Sequence, residues 1–221
     1  MSVLKAKVGG AFVTIGGGGG GELLLPPLNP TVYPLDPTYG DEMDAVPLGG
    51  AWTKRNIAQA ETLVASAPWK GAGVSVVFDA QGDALTRPMP AGDFEIVAAL
   101  SYSGDLQAMA GLCMLDASGN GGAYGLYNDG RIYSWNVSNY NYVSTGTANG
   151  GNPGPGVFFL SMRKVGTNAT CRHSGNGIDW SGTVSVSVGA AQMGLLRPYV
   201  GGSLTITIYR FNVYYGPGFY S

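Results

Sequence analysis

The sequence predicts an all-β protein whose main body is a large antiparallel β-sandwich. Three observations predict it. Short runs alternate apolar and polar residues, as at Phe94–Tyr102 and Thr183–Val188, which gives a strand one face for a core and one for water. Turn formers separate the runs. Asn128-Asp129-Gly130 and Ser174-Gly175-Asn176-Gly177 offer residues that tolerate positive φ where a hairpin reverses. Glycine fills 37 of the 221 positions without a Gly-X-Y period, which excludes collagen and fits many short strands joined by turns.

The chain divides into residues 1–21, 22–50 and 51–221. Residues 3–15 read as a small hairpin turning at Gly9-Gly10, with Phe12, Val13 and Ile15 on the return strand. A two-stranded hairpin is marginal alone in water, so it needs the main domain or another chain to pack on. Gly16 to Gly21 is an unbroken glycine run and reads as a tether. A phosphate-binding loop would need a following Lys-Ser/Thr and a helix, and neither is there.

Residues 22–50 carry Pro26, Pro27, Pro30, Pro34, Pro37 and Pro47. Proline fixes φ and removes a donor, so this is an extended arm. Leu23, Leu24, Leu25, Leu28, Val32, Tyr33 and Leu35 would leave a large apolar patch in water. They are predicted to lie along a surface, with a neighbouring subunit as one candidate, and Leu23, Leu24, Leu25, Leu28 and Tyr33 are taken as an assembly arm.

From residue 51 strands follow one another. Ala51–Ile57 is the first, 58–67 is extended rather than helical, and Val74–Phe78 ends in a turn over Asp79–Asp83. Phe94–Tyr102 turns Phe94, Ile96, Ala98 and Leu100 to one face. Met109–Leu115 is almost continuously apolar, the mark of a central strand covered on both sides. Tyr124–Tyr127 and Arg131–Val137 flank the hairpin turn, and Ser138–Pro155 reads as a long polar loop. Val157–Lys164, Ala169–His173 and a Trp180-bearing return strand follow. In Ser203–Tyr215 the apolar residues change phase, from Leu204, Ile206 and Ile208 to Phe211, Val213 and Tyr215. A period of two changes face only through an extra residue, which predicts a β-bulge near Ile208–Arg210.

Charge is sparse: 12 basic and 14 acidic residues leave a net charge of −2. With no basic cluster, a phosphate-tracking nucleic-acid surface is not predicted. No apolar run approaches the length of a membrane span, and Met1–Lys5 opens no signal-peptide core, so a protein made in a cytoplasm is expected. Cys113 and Cys171 read as two buried thiols, with one disulfide across the sheets as the alternative.

Asp93–Leu100, then Ala110-Gly111-Leu112-Cys113-Met114-Leu115, then the Ser174–Trp180 turn and the long last strand resemble the concanavalin A-like lectin/glucanase superfamily. The resemblance spans about residues 70–215. It departs at Asn176, where that progression has Asp. It implies an antiparallel jelly-roll β-sandwich. Separately, Lys7-Val8, Gly10, Phe12-Val13 and Ile15-Gly16-Gly17-Gly18 resemble the leader of phage virion proteins, where such a pattern precedes a fibre or decoration module. Together they imply a non-enzymatic virion structural protein of fibre, spike or decoration type. It would meet other virion proteins through residues 1–50, display a lectin-like body for adhesion, and form a homo-oligomer, a trimer by analogy.

A glycosidase of that superfamily would need two carboxylates across the scissile bond. Asp41, Glu42 and Asp44 lie in the arm, and Asp93 and Glu95 stand at a strand start, so no catalytic residue is assigned. His173 is the only histidine and has no placed nucleophile or second metal ligand. Asp116, Ser118 and Asn120 are spaced like calcium ligands but lack a closing bidentate acid, so no metal or cofactor is assigned. The best binding candidate is Trp135, Asn139, Tyr140, Asn141 and Tyr142. Aromatic faces stack on sugar CH faces while amides bond hydroxyls, which makes a host-surface glycan the candidate ligand. Aromatic packing or a subunit interface is the other reading of these residues.

Overall fold

A computed structural model describes residues 4–8, 11–15, 33–67, 70–105, 109–127, 129–148, 156–199 and 201–215. These hold strands β1 (Leu4–Val8), β2 (Ala11–Ile15), β3 (Thr53–Arg55), β4 (Thr62–Ala67), β5 (Lys70–Phe78), β6 (Asp83–Pro88), β7 (Phe94–Gly104) and β8 (Ala110–Leu115). They continue with β9 (Gly121–Leu126), β10 (Ile132–Ser138), β11 (Asn141–Ala148), β12 (Phe158–Val165), β13 (Asn168–Ser174), β14 (Ser181–Ser187), β15 (Gln192–Arg197) and β16 (Leu204–Tyr214). No helix occurs among the described residues.

The body is two antiparallel seven-stranded sheets, in the order β11-β10-β9-β8-β15-β6-β3 and β14-β13-β12-β7-β16-β5-β4. The all-β sandwich expected from the alternating runs is therefore what forms. Ile96, Ala98 and Leu100 of β7, Leu112 and Met114 of β8, and Ile206 and Ile208 of β16 meet in one core. Excluding water from those facing rows is the main force holding the sheets together. β1 pairs with β2 and with no other described strand.

All six residues of β8 are buried, as a strand with neighbours on both faces requires. The register of β16 against β7 shifts between Ile208 and Arg210. The bulge keeps Phe211 and Val213 in the same core as Ile206. Three strands escaped the sequence. β6 and β15 lack alternation because both their faces are covered. β11 lies inside the expected long loop. It was hidden because Asn139 and Tyr140, at φ 49° and 63°, make the reversal without a glycine. The Ser174–Gly177 turn is also longer than expected. Residues 175–179 form a loop that Ser174 and Asn176 brace internally, so Trp180 precedes β14 rather than lying in it.

Residues 33–50 of the arm are bonded to their own sandwich. β5 pairs with β16 only as far as Ile208. Beyond the bulge the arm takes that edge: Asp41 N–H donates to the Phe211 carbonyl (2.7 Å) and Phe211 N–H donates back (3.0 Å). Buried Asn212 accepts from Asp36 N–H (2.8 Å) and donates to the Pro34 carbonyl (3.0 Å). The Arg210 guanidinium donates to the Tyr33 carbonyl and pairs with Glu42 at 3.2 Å. Met43 is fully buried in the core, and Trp52 donates to Asp41 while its ring meets Phe211 edge-on at 5.2 Å. The surface this part of the arm follows is thus its own chain's, because β16 offers an open strand edge there. Gly16–Gly21, Leu23, Leu24, Leu25 and Leu28 lie outside the described residues.

Candidate functional site

The five candidate residues fall on or beside one hairpin, β10–β11. Along β10, Ile132 faces the inter-sheet core, while Trp135 and Val137 face out and join Cys113, Leu115, Ala123, Leu196 and Ala84 in a second apolar cluster. Trp135 sits opposite Ala123 of β9, and this small neighbour leaves room for its ring. It is fully buried and its Nε1 has no hydrogen-bond partner. No face of that indole is open for stacking, so Trp135 is a floor rather than a contact.

Tyr140 is likewise occupied. Its N–H donates to the Gly119 carbonyl (2.9 Å), its hydroxyl accepts from Gln192 (2.6 Å), and the Arg55 guanidinium stands 4.3 Å from its ring centre. A side chain at Gly119, where φ is +80°, would run into that ring. These bonds hold a tyrosine in a conformation that L-residues other than Asn and Asp rarely adopt. Aromatic packing, the alternative left open in the sequence, is what Trp135 and Tyr140 do.

Tyr142 differs. It is half-buried, paired opposite Val137, and tied to the β15–β16 connection by its N–H to the Pro198 carbonyl (2.8 Å). Its ring meets exposed Tyr199 edge-on at 5.7 Å, and its hydroxyl accepts from Thr145 N–H at 2.9 Å. On the same side Tyr127 and Tyr133 lie 4.6 Å apart, and the Tyr133 hydroxyl donates to Asp129 at 3.0 Å. Burial and the neighbouring Tyr142 push the Tyr127 hydroxyl above its ordinary pKa. Exposed Asn139 and half-exposed Asn141 stand at the turn, Asn141 donating to the Asn139 carbonyl (2.8 Å).

The site is therefore Tyr127, Tyr133, Tyr142 and Tyr199 ranged over Trp135, with Asp129, Thr145, Asn139 and Asn141 as polar groups around them. Tyr127, Tyr133 and Tyr199 were missed in the sequence. Tyr127 and Tyr133 flank the β9–β10 turn and Tyr199 stands in the β15–β16 connection, and the signal for the first two was the density of tyrosine between residues 124 and 142. Chemically, this surface offers ring faces, hydroxyl and amide donors and acceptors, and the carboxylate of Asp129.

The other candidates are structural. Asp116 accepts from the N–H groups of Ser118 and Asn120 (both 2.8 Å), and these bonds, from Asn120 first, hold its carboxyl below the usual range. Asn120 Oδ1 in turn accepts from Ser138 (2.9 Å) and Asn139 N–H (3.0 Å), joining two turns. Among the described residues no group of three His, Cys, Asp or Glu is gathered as a metal would need. Buried Glu95 accepts from Ser161, and Asp93 caps the Gly166 N–H at 3.0 Å. His173 Nδ1 lies 2.9 Å from the Tyr124 hydroxyl, and burial lowers its pKa. Cys113 and Cys171 are buried free thiols, with pKa values raised by burial.

No protein-family model matches the chain, and no curated protein matches it in sequence. Solved structures do share its fold. A xylan beta-1,4-xylosidase from Bacillus halodurans superposes with a TM-score of 0.59 at 13% identity, over 80% of this chain and 39% of the xylosidase. A functionally unknown protein from Saccharomyces cerevisiae gives 0.54 at 16% identity, over 76% and 98%. The exoplasmic/lumenal domain of VIP36, in a Ca2+/Man3GlcNAc-bound form, gives 0.50 at 11% identity, over 85% and 92%. This chain spans about two fifths of the xylosidase's length. What these likenesses establish is the fold: an antiparallel β-sandwich.

Proposed function

We propose that the protein binds a neutral saccharide through the tyrosine surface of its first sheet and makes or breaks no bond. The observation that carries this reading is the gathering of Tyr127, Tyr133, Tyr142 and Tyr199 beside Asp129 and Thr145. Rings of this kind stack on sugars while hydroxyl and amide groups bond them. Of the carboxylates considered for glycoside hydrolysis, Asp41, Glu42, Asp93 and Glu95 are bonded within the fold, to Trp52, Arg210, Gly166 and Ser161. Glycan-array binding lost on Tyr142→Ala plus Tyr199→Ala, with an unchanged melting temperature, supports the proposal. Reducing-sugar release from a bacterial polysaccharide overturns its non-enzymatic half.

Within this reading, the sandwich is the displayed part of a phage virion protein of fibre or decoration type, made in the host cytoplasm and assembled as a homotrimer. What supports a separate attachment element is that β1 and β2 join neither seven-stranded sheet. Co-purification with capsid or tail proteins that is lost on deleting residues 1–32 checks this. Unchanged assembly of the deleted protein rejects it.

A further inference from the structure

The second sheet carries a depression of a different character on its outer face. There β12, β13 and β14 place Arg163, Val165, Thr170, Arg172 and Thr183 around an open hollow of about 270 Å3. Arg163 stands opposite Thr170 and Ser161 opposite Arg172 in the register, so both guanidiniums emerge on one face from neighbouring strands. Bringing two like charges together costs free energy unless something neutralises them. Arg172 has Glu95, 3.7 Å away, a carboxylate only 2% exposed. Arg163 makes no ion pair or hydrogen bond among the described residues, although it faces Glu95 in the register. Arg163 therefore brings to the hollow a guanidinium that no described carboxylate pairs.

We infer that this hollow is a binding site for an oxyanion, a carboxylate, sulfate or phosphate group, received by the Arg163 guanidinium with Arg172 and the Thr170 and Thr183 hydroxyls. A guanidinium presents its donors as a planar fork that matches such groups with two parallel hydrogen bonds. Threonine hydroxyls supply further donors. Glu95 fixes Arg172 in place, so less side-chain freedom is lost on binding. The volume falls just below the roughly 300–1,000 Å3 of drug-sized ligand sites, which suits one acidic group and the unit that carries it. The site lies on the opposite sheet from the tyrosine surface and does not rest on the saccharide reading.

The test is a titration of the full chain, at constant ionic strength, with sodium phosphate, sodium sulfate, sodium glucuronate and neutral glucose, followed by amide chemical shifts. Saturable shifts at residues 163–172 and 183 with at least one of the three anions, and none with glucose, are expected. Phosphate and sulfate without glucuronate identify a tetrahedral oxyanion, and glucuronate alone identifies a carboxylate. Arg163→Gln should weaken binding at least tenfold, and Thr170→Val, which keeps the shape, about threefold. No saturable shift with any anion up to 50-fold excess over protein, or unchanged affinity in Arg163→Gln, overturns the inference.

Discussion

The two sheets share one core, but their outer faces are built in opposite ways. The first sheet covers its outer face with small and apolar residues, Gly111, Cys113, Ala123 and Leu196, and places aromatic rings over them. The second sheet buries charged and polar groups on its outer face: Glu95, Arg210 and Asn212 are at most 2% exposed. Glu95 has Ser161 and Arg172, while Arg210 and Asn212 have the arm. The difference teaches where each face gets its specificity. A surface of rings over small residues depends on close approach. A buried ionic surface depends on every partner being present.

The sharpest way to break the first face is at Gly111. β8 and β9 come so close there that a Cβ would lie 2.6 Å from the Gly125 Cα and overlap the Tyr124 carbonyl. Gly111→Val should cost more than about 3 kcal/mol through backbone displacement in the core and leave little soluble protein. Gly175→Ala, with nothing within 4 Å, should stay within about 0.5 kcal/mol of wild type in a urea melt. On the second face Arg210→Ala should destabilise by about 3 kcal/mol, because it removes the buried guanidinium that bonds the Tyr33 carbonyl and Glu42. Equal stability of Arg210→Ala and wild type would show that the arm is not bonded to β16 in solution.

Tyr140→Ala removes a hydrogen bond, a cation–π contact and a wedge between two turns. A loss of about 1–2 kcal/mol is expected, and glycan binding should weaken less than in Tyr142→Ala. The smallest effect concerns pH. His173 has a folded pKa below the ordinary 6.5 because of burial. Below about pH 6.5 the unfolded chain therefore takes up a proton that the folded chain refuses, and stability falls on acidification; above that value the two states bind the same number. Between pH 7.5 and 5 the melting temperature should decline, and His173→Gln should flatten that slope.

Much of the fold was legible in the sequence because period-two patterns report a single buried face. β7, β14 and the bulge in β16 all follow from that rule. β6 and β15 did not, since a strand buried on both faces shows no alternation, and Arg87 and Arg197 disguise it further. The candidate site was legible only as a neighbourhood. Tyr142 and Asn139 are surface residues, but Trp135 and Tyr140 look identical to them in sequence and are consumed by packing. What separates them is a stacked arginine, a glycine under a ring and a parity along β10, all of which depend on strands distant in the chain. Tyr199 enters the site from a connection about 57 positions away from Tyr142, a proximity that the pairing of β8 with β15 and the Tyr142–Pro198 bond create.

The arm's hold on β16 also sets an order of events during synthesis. The Asp36–Asn212 bond joins residues separated by 176 positions. While a ribosome is still making the intervening strands, residues 33–50 have no dock, and Met43 and Leu48 stay in water or with a chaperone. The nascent chain therefore keeps residues 33–50 unsatisfied until β16 emerges, and fragments stopped before residue 204 should be the species that aggregate.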